Sequence, residues 1–399
     1  MTLAIETVPR PRDVLGEFGM YVHVPFCAHR CWYCDFNAYA GLDHLADAYM
    51  SALVEDVRRG LSAPEQADLG SRPAITSIFI GGGTPSLVAA EHMTKLLEAI
   101  RASWPVAPGA EVTIECNPES IDARKLETYL ASGVNRISFG VQSLDDELLT
   151  RLGRTHDAHT ALAALRAARC AGFDNVSADL IFGVPGEDDN AWRMSVEGVL
   201  ACDPAHISCY GLTYEEGTPL GAWKRLGKVV PVGDDEVATR WEAAESLLTD
   251  AGFHRYEISN WARPGRESRH NDLYWRCGEY MGIGAGAHGH LATTDAAVRS
   301  WTLRSPERYV RSIQARLRPV AGHETIDVRT RASEVLVLGL RRTGGVRAGD
   351  FADLVGRALE DVFGDELQTA VHRGLVAWDG TVVRLLRPLV ADEATVLFA

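Results

Sequence analysis

The 399-residue sequence lacks any uninterrupted apolar run long enough to span a bilayer. Residues 1–17 also lack the apolar stretch that forms the core of a secretion signal. Hydrophobic residues make up 46% of the chain and charged residues 24%, as in ordinary globular proteins. We therefore expect a cytoplasmic protein without a transmembrane segment, built from one large domain and smaller ones.

Positive charge is in the minority. Lys and Arg together number 40, against 54 Asp and Glu, and the formal net charge is -14. Binding of nucleic acid without regard to its sequence depends on Lys and Arg that neutralise phosphates. We therefore expect no nucleic-acid partner.

Cysteine is sparse except in one short segment. Three of the eight cysteines, Cys27, Cys31 and Cys34, have the spacing CxxxCxxC, and the other five are scattered. In a reducing cytoplasm such a cluster favours a metal site over disulfides. Three thiolates on a four-iron four-sulfur cluster leave one iron open, which can chelate the amino and carboxylate groups of S-adenosylmethionine (SAM).

Zinc is the alternative occupant of these thiolates, with His23 or His29 as the fourth ligand. Structural zinc sites usually combine two short ligand pairs, and the sequence contains no second CxxC. The pattern therefore favours the iron–sulfur cluster over a zinc-stabilised binding module.

Short apolar runs alternate with longer amphipathic ones in the first half of the chain. The runs predict strands at 20–24, 77–80, 112–116, 136–141, 176–181 and 206–210. The amphipathic stretches predict helices at 44–59, 89–102, 122–131, 158–171 and 189–201. This alternation indicates parallel βαβ units, and six of them fit a partial TIM-type (β/α)6 barrel.

Polar motifs follow the predicted strands. The Cys motif follows the first strand and Gly81-Gly82-Gly83-Thr84-Pro85 the second, while Glu115, Gln142 and Asp179 belong to the next three. Parallel α/β barrels assemble their sites at this face. The Glu115 carboxylate could bind ribose hydroxyls or an ammonium group, or it could instead pair with an Arg at the rim of the barrel. Gln142 and Asp179 could likewise be ion-pair or rim residues.

The second half of the chain has a different pattern. We predict a helix at 235–251, a strand at 255–259, helices at 306–317, 328–340 and 359–371, and a hairpin at 374–386 that turns at Asp379-Gly380. Helices followed by a hairpin suggest a winged-helix-like domain. The predicted division is a tail at 1–17, the barrel at 18–230, a connecting segment at 231–303 and a C-terminal domain at 304–399.

Several motifs together resemble the oxygen-independent coproporphyrinogen III oxidase family of radical SAM proteins. They lie at 21–36, 81–86, 135–143, 152–156, 179–186 and 256–260. Within this family the chain is closer to the haem-chaperone group. Phe36 stands where the oxidase has a further Cys, and His270-Asn271-Asp272-Leu273-Tyr274-Trp275 matches the HNxxYW motif of the chaperones.

The resemblance implies a role for each matched residue. Cys27, Cys31 and Cys34 would bind the 4Fe-4S cluster. Tyr21, Gly82 and Glu115 would hold SAM, with Tyr33 near its adenine. Positions that hold a second SAM in the oxidase correspond to Gly83, Thr84, Gln142, Arg154 and Asp179. His270 would offer an imidazole to haem iron, or would be a hydrogen-bonded histidine between domains.

The resemblance also implies two candidate functions. The first is a haem chaperone that transfers haem to apo-haemoproteins, with the cluster and SAM assisting transfer or the formation of a homodimer. A reduced flavodoxin or ferredoxin would supply electrons. The second is an oxidase that decarboxylates coproporphyrinogen III to protoporphyrinogen IX. Phe36 and the HNxxYW motif favour the chaperone.

Overall fold

The computed structural model describes residues 16–399 except 66, 68 and 293–296. Most of the predicted tail at 1–17 lies outside the described residues. In the part of the chain that the structure describes, no helix combines the length and apolarity needed to cross a membrane.

The strands are named in chain order. They are β1 (Phe18–Val24), β2 (Phe26–Cys27), β3 (Tyr39–Ala40), β4 (Ile75–Gly82), β5 (Val106–Cys116), β6 (Arg136–Gln142), β7 (Val176–Phe182), β8 (His206–Gly211), β9 (His254–Arg255), β10 (Asn260–Ala262), β11 (Glu279–Ile283), β12 (His288–Ala292), β13 (Ala297–Thr302), β14 (Val320–Thr325), β15 (Val346–Arg347), β16 (Val376–Trp378) and β17 (Val382–Leu385).

The helices are named in the same way. They are α1 (Ala46–Arg59), α2 (Ala90–Ser103), α3 (Ala123–Ala131), α4 (Asp146–Leu152), α5 (Ala158–Ala171), α6 (Asp189–Leu200), α7 (Pro219–Arg225), α8 (Asp234–Asp250), α9 (Arg269–Trp275), α10 (Pro306–Gln314), α11 (Val328–Gly339), α12 (Ala348–Val355), α13 (Leu359–His372) and α14 (Ala391–Phe398).

Aspartate begins four consecutive helices, α3 to α6. In each, the carboxylate of the residue before the helix accepts a hydrogen bond from a backbone N–H of the first turn. The four caps are Asp122, Asp145, Asp157 and Asp188. Each cap satisfies a donor that the helix itself leaves unpaired and so sets where the helix begins.

A twelve-stranded sheet forms the main body, in the order β14-β13-β12-β11-β1-β4-β5-β6-β7-β8-β10-β9. The six predicted strands are its parallel core, β1 and β4 to β8, and successive members pair directly. Within the described residues, the two ends of the sheet do not pair with each other, so the barrel stays open. The prediction of a partial barrel is confirmed.

A seventh strand, β11, pairs in parallel with β1 on the side away from β4. This strand is not among the predicted ones, because Gly282 and Gly284 interrupt the apolar pattern there. Gly282 lies against the backbone of His288, where a Cβ atom would meet the His288 carbonyl. The glycine therefore permits the close approach of β11 and β12.

The predicted strand at 255–259 is wrong. Only Arg255 belongs to a strand, and residues 256–259 form the turn of the β9–β10 hairpin. The buried Glu257 explains the turn, because its carboxylate accepts hydrogen bonds from the backbone N–H of Ser259 and from the side chain of Asn260. A side chain that bonds its own neighbouring backbone favours a turn over an extended strand.

The winged-helix-like prediction is confirmed. Helices α11, α12 and α13 pack against a three-stranded sheet, β15-β17-β16, around a separate apolar core. The hairpin β16–β17 turns at Asp379 and Gly380, and the Asp379 carboxylate accepts from the N–H groups of Thr381 and Val382. Helix α10 packs instead on α1 within the core of the barrel. The domain boundaries stay a prediction.

Arg331 of α11 joins the C-terminal helices to the main sheet. Its side chain is 1% exposed, and it donates to the Cys277 carbonyl at 3.0 Å and to His290 Nε2 at 3.2 Å. Burial of a guanidinium is costly unless such acceptors replace water. The contact therefore specifies how the two cores dock.

We predict that Arg331→Leu lowers the free energy of unfolding by about 2–3 kcal/mol, because it leaves two buried acceptors without a donor. Urea denaturation followed by tryptophan fluorescence measures the change. Arg357→Leu, at an exposed position of the same domain, is the control and should change stability by less than about 0.5 kcal/mol. Equal stability of both variants would contradict the anchoring role.

Candidate functional site

The register of the parallel strands brings the polar motifs to one edge of the barrel. Glu115 of β5 lies beside Ser138 of β6, and Asp179 of β7 lies beside Ser208 of β8. Both serine hydroxyls donate to the Asp179 carboxylate, Ser208 at 2.8 Å and Ser138 at 3.2 Å. The carboxylates of β5 and β7, on either side of β6, thus share one polar interior.

One cavity contains most of the predicted site residues. Its lining includes Cys27, Cys31, Tyr33, Cys34, Gly82, Gly83, Thr84, Glu115, Gln142, Arg154 and Asp179. Tyr21 lines a neighbouring cavity instead, and His270 lines neither. We call the first the cluster cavity and its neighbour, which contains Tyr21, the outer cavity.

Cys27 is the last residue of β2, and Cys31 and Cys34 lie on the loop that follows it. Each is half-buried, and each is free of disulfide bonding. Two backbone hydrogen bonds hold this loop, from Trp32 N–H to the Leu152 carbonyl and from Leu220 N–H to the Trp32 carbonyl. The loop is therefore fixed to the neighbouring α4 and α7 before any ligand binds.

The donor set fits an iron–sulfur cluster better than one zinc ion. Across the described residues, no group of three His, Cys, Asp or Glu side chains is arranged to hold a single metal ion. A cubane cluster separates its thiolates more widely than a tetrahedral zinc does. His23, a predicted zinc ligand, already bonds Tyr21 through Nδ1 and the Asn37 carbonyl through Nε2.

The electrostatics of the thiols also suit a cluster. Burial raises the pKa of Cys27, and it raises the pKa of Cys34 to about 11. Thr84 Oγ1 donates to Cys27 Sγ at 3.6 Å, and Arg154 donates to Cys31 Sγ at 3.4 Å. Bound iron would compensate the thiolate charge that burial alone disfavours.

The three glycines of the second motif permit three close approaches. A Cβ atom on Gly82, whose φ is +112°, would meet the His23 ring, and one on Gly83 would meet the Phe26 carbonyl. The amides of Gly82, Gly83 and Thr84 are occupied: Gly82 N–H donates to Glu115 Oε2 at 3.1 Å, and the other two donate to backbone carbonyls. Any contact of this motif with SAM must therefore use its carbonyl groups.

Glu115 and Asp179 carry unusual pKa values. Burial, together with the neighbouring Asp179 carboxylate, raises the pKa of Glu115 to about 7. Burial also raises the pKa of Asp179. Two carboxylates that share a desolvated interior disfavour each other's ionisation, so a cationic ligand would relieve both.

Arg154 links the cluster loop to β6. Its guanidinium donates to Asn117 Oδ1 at 2.8 Å and to the Gly140 carbonyl at 3.0 Å, in addition to Cys31. Gln142, at the end of β6, has a φ of +67° and lies where the pairing with β7 shifts register. Asn117 is not among the predicted site residues, although its place two residues after Glu115, directly after β5, is a usable signal.

His270 lies behind the outer cavity. It is fully buried, with Nδ1 bonded to Ser77 Oγ at 2.9 Å and Nε2 to the Tyr274 hydroxyl at 2.8 Å, and its ring stacks on Phe79. Burial lowers its pKa to about 3. In this arrangement neither ring nitrogen is available to haem iron, whereas Phe79 and Tyr274 of the same cluster line the outer cavity.

We predict that Glu115→Gln stabilises the cluster-free protein at pH 8 by about 3 kcal/mol and has no effect near pH 4.5. The native pKa of Glu115 exceeds its unfolded value, so its contribution to stability is complete below about pH 4.5 and is lost as the pH rises through 7.

Urea denaturation at pH 4.5, 6, 7 and 8 tests this expectation (about 1.4 kcal/mol corresponds to one pKa unit). Glu98→Gln, on the exposed side of α2, is the matched control. Wild-type and Glu115→Gln curves that coincide at pH 8 would contradict the buried carboxylate.

Comparison with known proteins agrees with this geometry. Residues 21–197 match the model of the Radical SAM superfamily, and residues 326–387 match that of the HemN C-terminal domain. The structure superimposes on coproporphyrinogen III oxidase (HemN) from Escherichia coli with a TM-score of 0.80 and 20% identity, covering 97% of this chain and 92% of that one. This likeness shows the fold.

Two relatives are similar over nearly the whole length. The heme chaperone HemW of Bacillus subtilis is 35% identical over 89% of this chain and 92% of its own. The heme chaperone HemW of Mycobacterium tuberculosis H37Rv is 36% identical over 92% of this chain and 95% of its own. The chain therefore belongs to the radical SAM superfamily and, within it, to the family of the heme chaperone HemW.

Proposed function

We propose that this protein binds haem and transfers it to apo-haemoproteins, with a 4Fe-4S cluster and SAM as its resident cofactors. The full-length similarity to chaperones of haem carries the proposal. The oxidase shares the fold at 20% identity. Phe36, where the oxidase has a further Cys, is 61% exposed at the rim between the two cavities.

Cys27, Cys31 and Cys34 would hold the cluster. When bound, the cluster and SAM together supply one-electron chemistry. Thr84 and Arg154 each aim a donor at a thiol sulfur, and such hydrogen bonds stabilise thiolate charge and tune the ligands.

Tyr21, Gly82 and Glu115 would hold SAM. Glu115 reaches from β5 to the Gly82 amide, and both residues line the two cavities at the point where these adjoin. A carboxylate whose ionisation burial disfavours gains when it pairs with an ammonium group. Tyr33 lies half-buried beside Arg154 in the cluster cavity, where the adenine would lie.

The residues matched to a second SAM already have partners in the protein. Asp179 accepts from two serines, and Arg154 bonds Asn117 and the cluster loop. We propose that these residues, with Gly83, Thr84 and Gln142, shape the cluster cavity even when no second SAM is bound. Their binding role stays a prediction.

We place the protein in the cytoplasm, where reduced flavodoxin or ferredoxin would supply electrons. A homodimer is also part of the proposal. Haem is the cargo, and apo-haemoproteins are the recipients.

We predict that Cys27→Ala, Cys31→Ala and Cys34→Ala each lose the cluster, because each removes one of three iron ligands. Iron and sulfide analysis and EPR after anaerobic reconstitution measure the loss. Cys170→Ala, on an exposed thiol of α5, should keep full iron content. Full iron in any of the three site variants would refute that ligand.

The function itself predicts two results for the reconstituted wild type. Haem titration should give a saturable complex, and bound haem should pass to an apo-haemoprotein in a gel-filtration transfer assay. Coproporphyrinogen III, given with SAM and a reductant under anaerobic conditions, should remain unchanged. Formation of protoporphyrinogen IX would make the protein an oxidase, and failure to bind haem would refute the chaperone.

A further inference from the structure

The outer cavity has the size and lining of a ligand site. Its volume is about 540 Å³, and Gly82 and Glu115 form the end that it shares with the cluster cavity. Its opposite end lies on β12 and β13 and the residues after them, at His288, Trp301 and Arg304. These three residues do not line the cluster cavity and have no role in the site so far.

Four histidines lie on or near this cavity, and they differ in whether their ring nitrogens have hydrogen-bond partners within the protein. His23 and His270 have both nitrogens bonded within the protein. His290 bonds the Gly278 carbonyl through Nδ1 and Arg331 through Nε2. Among the described residues, no hydrogen bond involves the ring of His288.

His288 is exposed and faces the cavity with its ring stacked on Trp301, at 6.1 Å between centroids. Desolvation and the nearby Arg299 and Arg304 lower the pKa of His288. The imidazole is therefore neutral at physiological pH, which is the form that binds a metal.

Arg304 provides a cation at the same end. No carboxylate in the described chain forms an ion pair with it, and its side chain is exposed. Its backbone carbonyl accepts from Asn37 Nδ2 at 3.0 Å and from the Tyr39 hydroxyl at 3.1 Å. Arg304 is thereby held by the segment that follows the cluster cysteines.

Aromatic side chains complete the cavity. Trp301, Phe36, Phe79 and Tyr280 line its walls, and Phe36 is the exposed one at the rim. A free imidazole, aromatic walls and a cation together suit a flat apolar macrocycle with a metal at its centre and carboxylates at one edge. The outer cavity offers all three.

We propose that haem binds in the outer cavity with its iron on the His288 imidazole and a propionate on Arg304. This inference rests on the proposed function and names the site of the cargo. His270 is then a positioning residue, which holds Phe79 and Tyr274 against the cavity. The inner end, at Tyr21 and Glu115, remains with SAM, so haem and SAM lie side by side.

The test is haem titration of the reconstituted full-length protein, with axial ligation measured by magnetic circular dichroism and EPR. We expect His288→Gly to lose the signature of histidine ligation and to weaken haem binding about tenfold or more, as for loss of one metal–ligand bond. Added imidazole should restore the signature. His159→Gly, at an exposed site on α5, is the control and should behave as wild type.

Two further variants keep the test decisive if His288→Gly folds poorly. His288→Met should replace the histidine signature with that of thioether ligation. Arg304→Gln should keep the histidine signature but weaken haem binding about fivefold to tenfold through loss of a charge-assisted hydrogen bond. Cluster iron content verifies folding in each case.

The outcomes separate the two proposals. Wild-type protein that binds no haem refutes the proposed function and this site with it. Haem that binds to wild type and to both His288 variants with an unchanged ligation signature overturns the site and leaves the function standing. Loss of the signature in His270→Gln but not in His288→Met would assign the iron to His270 instead.

Discussion

Parallel hydrogen bonding among β1 and β4 to β8 is the constraint on which the rest of the structure depends. It places the carboxyl ends of six strands at one edge, so residues far apart in sequence meet there. Glu115 reaches the Gly82 amide, and Arg154 reaches Cys31, only because those strands keep this order. The helices that begin at aspartate caps, α3 to α6, return the chain to the opposite edge, where β6, β7 and β8 begin.

The site is consequently preorganised by the protein itself. Its amides, its arginine and its carboxylates are bonded to one another before a cofactor arrives, and the glycines make room for that bonding. This arrangement desolvates the carboxylates of Glu115 and Asp179 and the thiols of Cys27 and Cys34, and burial raises the pKa of all four groups. The site is thus built from groups whose ionised forms burial disfavours, a usual sign of a binding site.

Much of the fold followed from sequence because the barrel strands are short buried runs bounded by polar motifs. The seventh parallel strand was not predicted because Gly282 breaks its apolar pattern. Residues 256–259 were wrongly predicted as a strand because the buried Glu257 carboxylate stabilises a turn there. The sequence pattern was enough to predict that Glu115 and Asp179 are polar residues of barrel strands at the site. The hydrogen-bond partners of the site residues could not be predicted in this way. The burial of His270 and the free ring of His288 depend on contacts between distant strands that no local pattern encodes.

The carbonyl of Arg304, held by Asn37 and Tyr39, ties the exit of the cluster loop to the rim of the outer cavity. If the cluster and the cargo each order this segment, their binding is thermodynamically linked, and such linkage is reciprocal. Whatever free energy the assembled cluster contributes to cargo affinity, the cargo returns equally to cluster retention. Loss of the cluster would then weaken cargo binding, and release of the cargo would weaken cluster binding, by the same factor.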